Sequence, residues 1–240
     1  MNTSRTFPAV IAAVALGVSC GGVDTGSVDA TTTTTAVTTT PETTSTVTTT
    51  TGGVVLAQPA IWPAADVVFA TPAEAAADFV RTVLGVEPLL SEYMGGDSRS
   101  GEIEVFSPGE TTPVSRGRLD LRILAPNDGW FVIGAANPNA TISSPEVYAE
   151  VPAGPLTVEG VARGHEGTVV ITAFLAGNAD AVFDQVITSG GVLETPEPYS
   201  VTIDLTGAAV GDVITLLVHG DTGLENDPGE FGAIAVVIAD

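Results

Sequence analysis

Residues 221–230, Asp-Thr-Gly-Leu-Glu-Asn-Asp-Pro-Gly-Glu, put five carboxylate or carboxamide side chains into ten positions: Asp221, Glu225, Asn226, Asp227 and Glu230. Hard cations such as Ca2+ are held by about six to eight oxygens, so this loop is the best metal candidate in the chain. Its spacing is not that of an EF-hand, because Thr222, Gly223 and Leu224 follow Asp221 where alternating acids would be needed. The favoured reading is a solvated acidic loop between two strands, with a weak Ca2+ loop as the alternative. The two histidines, His165 and His219, are far apart in sequence and have no cysteine near them. A zinc site draws three or four ligands from clustered His and Cys, so both read as turn or strand-end residues.

Catalytic constellations are missing. Gly96-Asp97-Ser98 looks like the start of a serine esterase block, but no histidine lies within residues 57–139 to act as base. Glu102 and Glu104 are two apart on an expected strand and share its wet face, which is not the facing pair of a glycosidase. No phosphate loop or dinucleotide fingerprint occurs. The chain reads as a non-enzyme. Trp62, Trp130 and Phe131 are expected mainly as core residues, with Trp130 and Phe131 on opposite faces of one strand.

Cys20 is the one cysteine of the chain, so no internal disulfide can form. Arg5 precedes an apolar run over residues 7–18, and Leu16-Gly17-Val18-Ser19 leads into Cys20. A basic start, a short apolar core and small residues make a secretory signal. The run is shorter than the roughly 20 residues that span a bilayer. The segment resembles a bacterial lipobox, which implies a lipidated Cys20 as the mature N-terminus, although Gly17 stands where that pattern usually has Leu. The expected location is the extracytoplasmic face of the cell membrane, lipid-anchored, or secreted if Cys20 is not lipidated. Between residues 24 and 53, sixteen positions are Thr. Such a segment buries too little apolar surface to offset its ordering entropy and reads as a disordered stalk over residues 21–56.

The net charge is −22, with no lysine. Residues 57–139 carry 11 acids and 5 arginines, and residues 140–240 carry 15 acids and one arginine. This excludes nucleic-acid binding and charge-driven docking on an anionic membrane, which leaves the lipid anchor as the membrane contact.

The elements come next. Thr71-Pro72-Ala73-Glu74 is a capping box, and Ala76, Phe79, Val80, Val83 and Leu84 recur at helical spacing up to Gly85. Strands are expected at 101–107, 114–124 and 130–135. With the helix they form a small α+β domain over residues 57–139. From residue 140 onward the pattern changes to short strands separated by glycine-rich turns: 141–151, 156–162, 168–176, 182–188, 198–206, 213–219 and 231–238. The cleanest alternation is Tyr199, Val201, Ile203 and Leu205 against Ser200, Thr202, Asp204 and Thr206. Seven short strands in about 100 residues predict an all-β immunoglobulin-like sandwich over 140–240.

Ser144-Pro145, Gly160-Val161-Ala162 and Glu166-Gly167-Thr168-Val169, with the 198–205 strand and the acidic loop before the last strand, resemble the bacterial immunoglobulin-like domain called Gmad2. The resemblance covers about 100 of the 240 residues. It implies an extracytoplasmic β-sandwich without a catalytic centre. The expected function is a non-catalytic surface lipoprotein that displays a binding module to an envelope protein or cell-wall component. The alternatives are a Ca2+-dependent adhesion module and, further off, a cell-wall hydrolase.

Overall fold

The structure is a computed structural model and describes residues 54–192 and 195–240. The expected signal segment, Cys20 and the Thr-rich run up to residue 53 lie outside the described residues. The chain is mostly β, with α1 (Pro72–Thr82) its one α-helix among the described residues. The strands are β1 (Met94–Gly95), β2 (Ser100–Ser107), β3 (Val114–Leu124), β4 (Gly129–Ala136), β5 (Ala140–Ser144), β6 (Glu150–Pro152), β7 (Pro155–Ala162), β8 (Thr168–Leu175), β9 (Val182–Ser189), β10 (Glu197–Asp204), β11 (Val213–Gly220) and β12 (Phe231–Ala239).

The helix begins as its sequence dictates. Thr71 Oγ1 accepts from the Glu74 amide at 3.3 Å, and Glu74 Oε2 accepts from the Thr71 amide at 3.0 Å. Two orphan amides of the first turn are thereby satisfied. Beyond the helix end Gly85 takes a φ of +71°, a conformation that costs a residue with a Cβ more than glycine. Ala75, Ala76, Phe79 and Val80 form its buried face.

Two sheets account for the strands. The smaller has the order β10-β7-β5, and the larger β1-β2-β3-β4-β12-β11-β8-β9 with β6 added parallel to β12. The larger sheet runs unbroken through the expected domain boundary at residue 139, since β4 pairs with β12 at Ala135 and Ala233. This corrects the separation into two units. All described residues belong to one compact unit, and the helix and meander extend the C-terminal sheet rather than forming a core of their own.

The physical reason lies in β8, β11 and β12. One face of these strands, with Val169, Ile171, Ile214, Leu216, Val218, Val236 and Ile238, packs against Val158, Tyr199, Ile203 and Leu205 of the smaller sheet and its β10 end. The opposite face, with Phe174, Leu217, Phe231, Ala233 and Ala235, packs against Phe79 and Val80 of α1 and Ile61 of the N-terminal segment. The Phe79 and Phe231 rings lie 6.5 Å apart. Strands buried on both faces carry continuous apolar sequence, as in Val213–Gly220 and Phe231–Ala239, whereas β10 has a wet face and alternates. The described residues thus form three layers: α1 with the segment before it, large sheet, small sheet. No helix among the described residues is long and apolar enough to cross a membrane.

The aromatic residues follow the core expectation. Trp62 and Phe131 are buried, and Trp62 Nε1 donates to Asp78 Oδ2 at 2.8 Å. Trp130 is half-buried, edge-on to Tyr93 at 5.4 Å.

Candidate functional site

Three connections meet at one end of the sandwich: 163–167 between β7 and β8, the β9–β10 connection near Gly190 and Gly191, and 221–230 between β11 and β12. Backbone bonds tie them together. Gly164 donates to the Gly191 carbonyl (3.0 Å), Gly190 to that of Gly167 (2.8 Å), and Asp221 to that of Thr168 (3.1 Å). The backbones approach closely enough to need glycine. A Cβ on Gly220 would lie 1.9 Å from the Arg163 carbonyl oxygen, and one on Gly191 1.8 Å from that of Thr195. Glu166 is held in the left-handed region at φ 55°. A non-glycine residue there is uncommon and clusters at functional sites.

Two arginines organise the acidic loop. Arg163 grips Glu230 with both arms, Nε to Oε2 and Nη2 to Oε1, each at 2.6 Å, and Asn139 Nδ2 adds a bond at 3.1 Å. Arg116, from β3, reaches across to Asp227 and also donates Nε to Ser107 Oγ at 2.8 Å. The Asp227 side chain is 5% exposed, and the Glu230 side chain 11%. Burial pushes the Glu230 carboxyl up, but the bonds from Arg163 and Asn139 and the charges of Arg163 and Arg116 outweigh it and hold Glu230 below its ordinary value.

The loop of Asp221, Glu225, Asn226, Asp227 and Glu230 is not the fully solvated one expected, and the same pairing leaves the Ca2+ alternative few free oxygens. Asp227 and Glu230 are occupied by guanidinium groups, Asp221 Oδ1 accepts from the Gly223 amide of its own turn (2.8 Å), and Glu225 and Asn226 are exposed. No three His, Cys, Asp or Glu side chains among the described residues converge to hold a metal ion. Acids that end a loop carry no information about which cations in the fold will reach them. Arg116 is 111 residues from Asp227, and Arg163 is 67 from Glu230. The signal available was scarcity: with six arginines among 26 acids in residues 57–240, each guanidinium is a strong attractor for whichever carboxylate folding brings near.

The three connections enclose an open groove of about 580 Å³ whose lining includes Arg116, Arg163, His165, Val192, Leu224 and Asp227. Val192 is 49% exposed and Leu224 66%. Both stand beside the ion-paired frame of Arg116, Asp227, Arg163 and Glu230.

The remaining sequence candidates lie elsewhere. His219 sits in β11 between Val170 of β8 and Phe231 of β12, and burial lowers its pKa against the raising charge of Asp221. Asp97 belongs to the β1–β2 turn, where its Oδ1 accepts from the Arg99 amide at 2.6 Å, and that bond with the Ser100 hydroxyl lowers its pKa. Glu102 and Glu104 lie on the wet face of β2, with Glu102 3.4 Å from Arg118. Searches of protein-family models, curated proteins and solved structures find no match to the chain.

Proposed function

We propose that this chain is a non-catalytic surface lipoprotein, anchored through Cys20, whose C-terminal half is an immunoglobulin-like sandwich of the Gmad2 type. On this reading the sandwich binds an envelope protein or cell-wall component at the loop end. Strand order supports the immunoglobulin-like reading. With β5, β7, β8, β10, β11 and β12 lettered A, B, C, E, F and G, the sheets divide as ABE and CFG, the division of that fold. The short β6 runs parallel to the last strand, and β9 joins the CFG side. The residues that carry the Gmad2 resemblance fall at structural corners: Ser144 ends β5, Ala162 ends β7, and Glu166-Gly167 turns into β8.

The observation that carries the binding role is the loop-end groove, because the B–C and F–G connections of such sandwiches are where partners are held. Two arginine–carboxylate pairs fix the frame before any partner arrives, which lowers the ordering entropy of binding. The test compares full-length protein with a Val192→Asp/Leu224→Asp variant for binding to isolated cell envelopes. The expected result is loss of binding with an unchanged melting temperature. Equal binding by the two proteins would refute the loop-end site. Release of a Cys20→Ser variant from the membrane fraction tests the anchor, and retention there would refute it.

A further inference from the structure

A second concavity opens where the large sheet leaves the shelter of the small one. β5 packs over β12, and among the described residues no strand of the small sheet pairs with β3 or β4. The result is an open trough of about 620 Å³ that shares no lining residue with the loop-end groove. That volume is within the roughly 300–1,000 Å³ typical of small-ligand sites.

Its floor is made of residues too small to fill it, Gly134, Ala136 and Gly232 among them. One wall is apolar. Ile133 is the extra residue where the β3–β4 register slips between Asp120 and Leu121, and a bulge of this kind re-aims a side chain. Tyr148 stands on the same trough at φ 64°, a left-handed conformation rare for an aromatic residue. It is fixed there by its backbone N–H donating to the Ala235 carbonyl (2.7 Å) and by Gln58 Nε2 donating to its hydroxyl oxygen (3.2 Å). The other wall is charged, with three carboxylates around one guanidinium. Arg118 lies between Glu102 (3.4 Å) and Asp120 (3.1 Å), with Glu104 beside it on β2. Burial, with the charge of Glu102, raises the Asp120 carboxyl against the lowering charge and hydrogen bond of Arg118.

Arg118 is already held by two carboxylates, and the acidic surplus beside it repels a further anion. What the trough offers is a lining that combines hydrogen-bonding side chains, Arg118, Asp120 and Glu104, with an aromatic one, Tyr148. We propose that this trough binds a neutral saccharide, with its C–H face against Tyr148 and its hydroxyls exchanging hydrogen bonds with Arg118, Asp120 and Glu104. The pairing follows from the chemistry. A pyranose presents one apolar face and a rim of groups that both donate and accept, and charged partners make such bonds strong. The site stands independently of the anchor and of the loop-end partner.

The experiment is binding of the purified full chain to immobilised neutral oligosaccharides of hexose and of N-acetylhexosamine type, with a uronic-acid polymer and an oligolysine peptide in parallel. At least one neutral oligosaccharide is expected to bind, and which of the two types does so separates the sources. Gly134→Val places its first carbon in ordinary contact, 3.5 Å from the Ala233 carbonyl oxygen and 3.9 Å from Asp120 Oδ2, while its methyls enter the trough. This change is expected to weaken binding by about tenfold or more at constant melting temperature. Tyr148→Asn tolerates the left-handed backbone, removes the ring and is expected to weaken binding to a similar extent, with a lower melting temperature because the ring also packs against the core. Binding to the uronic-acid polymer or the oligolysine alone, or neutral binding that both variants retain, overturns the proposal. So does no binding to any neutral oligosaccharide, which leaves the Val192/Leu224 test of the loop end untouched.

Discussion

Replacing Arg163 with Met removes two charge-assisted bonds from Glu230 and leaves the carboxylate with Asn139 as its remaining side-chain donor among the bonds described above. The pair is largely but not wholly buried, at 18% and 11% side-chain exposure. Breaking a fully buried pair costs about 3–5 kcal/mol because the orphaned charge stays desolvated. Partial exposure here reduces that to roughly 2–3 kcal/mol. For a chain of this size the melting temperature should fall by about 5–10 °C near neutral pH. The pH dependence is the sharper test. Glu230 is held below its ordinary value of 4.5, so its contribution to stability is present above that pH and is lost as pH falls through the lower folded value. In the variant the same carboxylate loses its cation and is relieved by protonation. The two melting curves should therefore differ at pH 7 and converge in acid below pH 4.5. Thermal unfolding by circular dichroism at pH 7 and at acid pH reads both quantities. A gap below about 1 kcal/mol at pH 7, or an equal gap at both pH values, would refute the role assigned to the pair.

Further outcomes follow from the same geometry. Phe231→Ala should destabilise by about 3–5 kcal/mol in urea unfolding, because the ring joins the helix layer to the sheet and leaves a cavity there. Unfolding should remain a single transition by fluorescence and circular dichroism alike, since the meander and sandwich share that core. His219 is disfavoured as a cation by its burial, so stability should fall as pH drops below its ordinary value of 6.5, and that fall should be smaller in His219→Gln. Millimolar Ca2+ should leave the melting temperature unchanged at fixed ionic strength, because Asp227 and Glu230 are held by arginines.

Local chemistry was legible in the residues. The Thr71–Glu74 capping box, the three meander strands and the alternation of β10 all act within a few positions of the chain, so spacing alone exposes them. Of the candidate site, the acidic character of 221–230 was visible and its chemistry was not. A carboxylate's partner depends on which strand end folding brings within reach, and Arg116 arrives from β3 through sheet pairing far along the chain. The trough was invisible for a similar reason. Gly134, Tyr148 and Arg118 are ordinary residues until β3, β4, β12 and the β5–β6 link meet.

The boundary at residue 139 shows the division most clearly. By itself, the sequence determined most individual elements, because each is set by period and capping over a few residues. The exceptions are the strand expected at 141–151, which is two strands, β5 and β6, in different sheets, and the short β1, which was not expected. Tertiary structure alone decided that they form one body. The unbroken apolar runs of β11 and β12 are compatible with several burial schemes. The pairing of Ala233 with Ala135, and the arrival of Phe79 over Phe231, made them strands covered on both faces.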